Sequence, residues 1–237
     1  MSSPLLKPRW LIGHVLVVAF TVLFLVLGFW QLGRHFDQRE RNEVVADQIA
    51  APPVELPAPG TVDDSFELQT VYATGRYDVS GLLERRPRVV NGRAGYDQIV
   101  PLVTDTGTVL VNRGFIADAD GPGPGALSGR RVTVTGTIRL DQGTSRFGPQ
   151  NPESGLLETI ARIDLERLAE QFDRPLYRVY LDLVAEEPPA GGPDTLLPEP
   201  PSPTTRPHLP YAVQWWAFAG VVTVGWFLYL RKQFFTA

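Results

Sequence analysis

The sequence contains no cysteine, a single methionine at its first position and only three histidines. Without cysteine, disulfides, thiolate zinc sites, iron–sulfur clusters and cysteine nucleophiles are excluded. Met1 cannot act as an internal methionine ligand. The histidines at positions 14, 35 and 208 are therefore considered below as possible ligands of a metal or cofactor.

Lysine is also scarce, and both lysines lie near the ends of the chain. Lys7 and Lys232 stand beside Arg9 and Arg231, and no acidic residue accompanies them in either tail. The residues between the tails carry 18 arginines and 26 acidic residues, and the whole chain has a net charge of −4. This charge argues against nucleic acid as a partner. Basic tails around an acidic middle predict that residues 1–9 and 231–237 are cytoplasmic tails of a membrane protein.

Two uncharged runs are long enough to cross a bilayer. Residues 11–32 would form a helix of about 33 Å, so a transmembrane helix is predicted over 10–32. A cleaved signal peptide is the alternative, but its apolar region spans only about 7–15 residues and ends in an A-x-A site. The second uncharged run predicts a transmembrane helix over 210–230. Two spans place both termini on one side, so the middle of the chain is predicted to be extracytoplasmic.

The segment between the spans divides by composition. Residues 33–60 predict an extension of the first helix followed by a proline-rich connector. Residues 61–185 carry strand signals, and residues 186–209 predict a proline-rich extended tether.

The strand signals predict an antiparallel β domain. "GYDQIVPLVT" and "TVLVNRGFIA" flank the turn "DTG", which predicts a hairpin. "RVTVTGTIRL" alternates between apolar and polar residues, as a half-buried strand does. Asp164 predicts the N-cap of a helix whose apolar positions are Leu165, Leu168, Ala169 and Phe172. The fold class predicted is therefore an α+β membrane protein, with two transmembrane helices flanking a small barrel-like sheet and one amphipathic helix.

Signals of catalysis are missing from this domain. It contains no histidine, which excludes a Ser-His-Asp triad and a histidine metal site there, and no G-x-S-x-G occurs. "GPGPGALSG" is interpreted as a loop, and the pairs Glu186–Glu187 and Asp63–Asp64 as solvated surface. Asn112 and Arg113 predict either a strand end with one salt bridge or a contact with a partner or a propionate-like anion. We therefore predict that the protein is not an enzyme.

The outer membrane edge is the one place where histidines can converge. His14 and His35 stand at opposite ends of the first span, whereas His208 precedes the second span at the same face as His35. His208 is either an interfacial residue or an axial ligand, because imidazole commonly ligates haem iron. An aromatic stripe follows it, and either packs against another helix or offers a surface to a flat apolar ring; its members are Tyr211, Trp215, Phe218, Val222, Trp226 and Tyr229.

Five segments in this order between two spans resemble the surfeit locus protein 1 family of cytochrome c oxidase assembly factors. They are "LGFWQLGR", "ATGRYD", "GYDQIVPL", "VLVNRGF" and "HLPYAVQWWAFA". The resemblance implies a bacterial member that assists haem a delivery or insertion into subunit I of an aa3-type oxidase at the outer membrane face. It implies haem a as the cofactor and His208 as the iron ligand.

The resemblance also implies a location and partners. Tyr211 and Trp215 match the family's aromatic positions after that histidine, and we add His35 and Arg34 as candidates for the rest of the site. The expected partners are subunit I, with the wider respiratory supercomplex, and the lipid bilayer of the bacterial plasma membrane. The alternative hypothesis is a scaffold or stable accessory subunit of the oxidase that binds no haem.

Overall fold

The computed structural model describes residues 8–119, 127, 129, 131–143, 148–189, 195–202 and 206–235. Most of the predicted cytoplasmic tails and of the loop "GPGPGALSG" lie outside the described residues. The chain divides into two compact units, one with residues up to Val45 together with Pro203–Ala237, and one with Ala46–Ser202.

The helical unit is built on two long helices. Helix α1 runs over Pro8–Ala50 and helix α3 over His208–Phe235. Pro8 and Pro210 are tolerated because they stand in the first turn of each helix, and Pro52 and Pro53 follow the end of α1. Both helices are long and apolar enough to cross a membrane by length and composition. The predicted extension of the first helix is present, since α1 continues to Ala50 without a break.

The second unit holds eight strands and one short helix, α2, over Leu165–Ala169. The strands are β1 (Val54–Glu55), β2 (Thr70–Tyr77), β3 (Leu83–Val90), β4 (Arg93–Thr104), β5 (Thr108–Ala117), β6 (Arg131–Leu140), β7 (Thr159–Ile160) and β8 (Leu176–Glu187). They pair in the order β1-β2-β6-β8-β5-β4-β3-β7, and β2 also pairs with β4. Strands β2, β6, β8, β5 and β4 therefore form a closed circuit of paired strands.

The sheet is mixed, which corrects the expectation of a purely antiparallel domain. Strand β8 runs parallel to β5, β1 parallel to β2 and β7 parallel to β3. Parallel neighbours need a long connection, and the chain supplies one between β5 and β8 because β6, β7 and α2 intervene. The predicted hairpin is confirmed, since β4 and β5 pair antiparallel around the turn at 105–107.

Two apolar clusters form the core of this unit. One joins residues of β2, β4, β5, β6 and β8, including Val71, Val100 and Leu181. The other lies where α2 and β7 pack on the sheet, and includes Leu83, Ile160 and Leu168.

The capped helix is shorter than predicted. The side chain of Asp164 accepts a hydrogen bond from the Arg167 N–H, as the N-cap prediction requires, and Leu165 and Leu168 are buried. The helix ends at Ala169, so Phe172 packs against the second cluster from outside the helix.

The proline-rich tether makes a contact that composition did not predict. Leu196 exchanges two backbone hydrogen bonds with Phe115 near the end of β5, at 2.8 and 3.0 Å. Beyond Asn112, β5 has lost its pairing with β8, so an edge is free for this bridge. We call residues 195–202 the strap.

Candidate functional site

Three side-chain hydrogen bonds join α1 and α3, which run antiparallel in the helical unit. Each has a donor–acceptor distance of 3.0 Å. The pairs are His14 with Trp226, Thr21 with Thr223, and Gln31 with His208. A polar side chain in an apolar environment needs such a partner, so these pairs fix the register of the two helices.

His208 is the first residue of α3 and is half-buried. Its Nδ1 lies 3.0 Å from Oε1 of Gln31, an amide oxygen that can only accept a hydrogen bond. The proton of a neutral imidazole is therefore on Nδ1, and Nε2 carries the lone pair. Within the described residues, Nε2 makes no hydrogen bond.

His35 and Arg34 lie close by on α1 but do not bind His208. His35 is one helical turn beyond Gln31, so the two side chains share a face of α1, and its ring contacts Phe36 at 5.8 Å. The exposed Arg34 stacks its guanidinium over Trp30, 5.8 Å from the ring centroid. No hydrogen bond or ring contact joins His35 to His208, both of which the structure describes.

The aromatic stripe on α3 packs largely against α1. Trp215 stacks on Phe24 with ring centroids 5.6 Å apart, and Phe218 contacts the same ring at 5.9 Å. Tyr211, one turn after His208, is 50% exposed. The stripe thus serves as a helix interface, with Tyr211 left open beside His208.

His208 and Tyr211 meet part of what a haem-binding site requires. Nε2 of His208 is free to coordinate, and the Nδ1 contact to an oxygen acceptor is the usual support of a metal-bound imidazole. Tyr211 offers an open aromatic face. Among the described residues, no group of three or more His, Cys, Asp or Glu side chains could hold a metal ion.

Gln31 was not predicted from the sequence. It lies in "LGFWQLGR", four residues before His35, as a polar residue inside an apolar run. That position was the available signal, but its partner is 177 residues away in the sequence and only the fold identifies it.

The β domain contains a largely buried ion pair in which Glu186, expected on a solvated surface, meets Arg113, for which one salt bridge was one of the two expectations. Arg113 bonds Glu186 at 2.7 Å, with side-chain exposures of 11% and 9%. Tyr77 donates to the same carboxylate at 2.8 Å, and Arg113 donates to Gln98. Burial, followed by the charge of Glu186, raises the pKa of Tyr77 well above its usual value. The solvated interpretation of Glu186 is therefore wrong, because β8 extends to Glu187 and carries it under Arg113.

Two adjoining cavities lie beneath the strap on the outer face of the sheet. The first, of about 290 Å³, is lined by charged and polar side chains. The second, of about 650 Å³, is mainly apolar. Asp182 and the strap residues 196–199 line both.

The polar cavity holds three arginines and two aspartates, of which Asp97 is buried and Asp182 is half-buried. Arg85 donates to Asp97 from Nε at 2.9 Å, and Arg88 contacts the same carboxylate at 2.8 Å. Asp182 accepts from Asn112 at 2.7 Å. Burial raises the pKa of the Asp182 carboxyl, because desolvation outweighs the stabilisation from Asn112 and the neighbouring arginines. Sequence reasoning missed this cluster, since its members come from five strands.

Comparison with known proteins confirms the resemblance read from the sequence. The SURF1 family model matches residues 18–220. A SURF1-like protein of Mycobacterium tuberculosis is 31% identical over 230 residues, which cover 93% of this chain and 83% of the relative. A SURF1-like protein of Monosiga brevicollis is 29% identical over 240 residues, with 94% and 87% covered.

A relative in fish is also similar over most of the chain. Surfeit locus protein 1 of Takifugu rubripes is 26% identical over 229 residues, covering 87% of this chain and 92% of the relative. The match to the family model extends from α1, through the whole sheet, into α3. The chain therefore belongs to the SURF1 family.

Proposed function

We propose that this protein is an assembly factor for an aa3-type cytochrome c oxidase and holds haem a for delivery or insertion into subunit I. The SURF1 family is known generally for cytochrome oxidase assembly factors. The observation that carries the haem proposal is the hydrogen bond from His208 Nδ1 to Gln31 Oε1, which leaves Nε2 free to coordinate.

The chain's own residues would act by positioning. Gln31 holds the imidazole of His208 in one tautomer and one orientation. Tyr211 supplies an open aromatic face one turn along α3 from that imidazole. Trp215 stacks on Phe24 and so holds this part of α3 against α1. Haem a, when bound, would contribute the iron that His208 ligates. Arg34 and His35 follow Gln31 by three and four residues on α1 and would form the rest of the haem site.

The proposal includes a location in the bacterial plasma membrane. Helices α1 and α3 would be the two spans, with both termini cytoplasmic and the β domain extracytoplasmic. The helix end that carries Gln31 and His208 would then lie at the outer face, where subunit I would receive the haem. We propose no catalytic activity, because the β domain has neither histidine nor cysteine.

The test is haem content after co-expression with the enzymes of haem a synthesis. Wild type should be purified with a haem a spectrum, and His208→Ala should lose it, because the imidazole proposed to ligate the iron is removed. His14→Ala is the matched control, since His14 also bonds across the helix pair but lies 17 residues before Gln31. Equal haem content in wild type and His208→Ala would exclude His208 as the ligand.

A second candidate function is supported by the packing of the aromatic stripe. Because Trp215 and Phe218 contact Phe24, much of the surface suited to a flat ring is already occupied. This favours a scaffold or stable accessory subunit that binds no haem. Co-purification with mature oxidase, together with a haem-free isolated protein, would favour this candidate over the first.

A further inference from the structure

The cavity pair beneath the strap contains a charge arrangement that the proposed function does not use. Arg85, Arg88 and Arg139 face Asp97 and Asp182, so the polar cavity has one more cation than anion before the strap is counted. The strap adds Glu199, whose exposed side chain lines both cavities. Glu199 therefore supplies the one negative charge that balances the three arginines and two aspartates of the polar cavity.

Arg88 and Arg139 each have N–H groups that are available to a ligand. Arg88 contacts Asp97 through Nε, and Arg139 approaches Asp182 only to 3.6 Å, also through Nε. Their terminal N–H groups make no hydrogen bond within the described part of the chain. Their side chains are 44% and 34% exposed, so an incoming ligand can reach both. A guanidinium with free N–H groups is suited to a carboxylate.

The neighbouring cavity supplies an apolar compartment of ligand size. Its volume of about 650 Å³ falls within the roughly 300–1,000 Å³ typical of small-molecule sites. Leu183 and Val184 of β8 and Leu196 and Leu197 of the strap line it. The two leucines of the strap remain 48% and 52% exposed, so the strap covers the cavity without filling it.

We propose that this cavity pair binds an amphipathic monocarboxylate, with its apolar body against Val184 and the strap and its carboxylate at Arg88 and Arg139, where it replaces Glu199. A single negative charge matches the balance, whereas a phosphate dianion would meet Asp97 and Asp182 with one charge in excess. A long-chain fatty acid presents this chemistry. The site lies wholly within Ala46–Ser202 and is independent of His208.

The test uses the full-length protein in phosphatidylcholine nanodiscs and a long-chain fatty acid that carries a mid-chain diazirine. After irradiation, mass spectrometry of peptides locates the label. We expect labelling of Leu183, Val184 and the strap, and several-fold less from the matched diazirine alcohol. Unlabelled palmitate should compete with this labelling, because it presents the same carboxylate and a similar apolar chain.

Three variants make the test specific. Arg139→Gln should reduce acid labelling several-fold, whereas Arg131→Gln, on the same strand but outside both cavities, should leave it unchanged. Glu199→Gln should increase labelling, a change that misfolding would not produce. Equal labelling by acid and alcohol, label confined to α1 and α3, or no response to Arg139→Gln and Glu199→Gln would overturn the proposal.

Discussion

Arg113 and Glu186 show at the residue scale how the end of a strand is fixed by charge. Both side chains are largely shielded from water, and Tyr77 and Gln98 provide them with further hydrogen bonds, but Nε of Arg113 has no hydrogen-bond partner among the described residues. Taking two charges out of water is costly, so such a pair stabilises only when its remaining polar atoms have partners. The cost of removing one partner is large, because the other charge stays buried.

Arg113→Gln is expected to lower the free energy of unfolding of the β domain by about 3–5 kcal/mol, because it leaves Glu186 buried without its counter-charge. Hydrogen exchange of β5 and β8 in the full chain, followed by mass spectrometry, measures the loss. Arg131→Gln is the control: that side chain is 60% exposed, and its removal should change stability by only about 0.5 kcal/mol. Equal losses in the two variants would contradict this role of the pair.

At the scale of elements, the α1–α3 interface depends on two glycines. A Cβ at Gly28 would lie 2.1 Å from Trp216 Nε1, and one at Gly13 would lie 2.5 Å from the ring of Trp226. Gly33 on the same helix has no such neighbour within 4 Å. The small residues therefore allow the two tryptophans to lie against the α1 backbone, as close helix packing requires.

Gly28→Leu should separate α1 from α3, because its side chain occupies the space of Trp216. The chain has no cysteine, so a Thr21→Cys/Thr223→Cys pair gives an unambiguous disulfide readout at a position where the native hydroxyls are 3.0 Å apart. Oxidation should cross-link this pair efficiently in the parent sequence and in Gly33→Leu, but poorly in Gly28→Leu. Unchanged cross-linking in Gly28→Leu would show that close packing at this glycine is dispensable.

At the scale of the whole molecule, the chain combines a helical unit with a sheet unit whose compositions differ. All five tryptophans belong to α1 and α3, whereas the sheet unit contributes the buried charges. The two uncharged runs provide the membrane anchor in our proposal, and the basic terminal residues set its orientation. The orientation determines which side of the membrane the Gln31–His208 contact faces.

Impermeant maleimide labelling of single-cysteine variants in spheroplasts tests this orientation. Val89→Cys, at a site 68% exposed on β3, should be labelled in intact spheroplasts, because the β domain is proposed to be extracytoplasmic. Lys232→Cys, near the end of α3, should be labelled only after permeabilisation. Labelling of Lys232→Cys in intact spheroplasts would reverse the proposed topology.

Local patterns were enough to predict much of this protein. Uncharged length identified both long helices, alternation identified β6, and the "DTG" turn identified the β4–β5 hairpin. Asp164 was identified as a cap by its residue type and the apolar spacing behind it. The ordered motifs identified the family, which the comparisons confirm. Each of these signals lies within a short stretch of chain, where periodicity and turn chemistry act directly.

Only the tertiary structure decided how distant segments meet. The parallel pairing of β8 with β5 depends on which strands β8 lies between, and no local sequence pattern specifies those neighbours. The partner of His208, the burial of Glu186 and the cavities beneath the strap arise from contacts between segments far apart in sequence. The sequence alone determined the elements and the family, whereas long-range packing and the need to pair buried polar groups determined the sites.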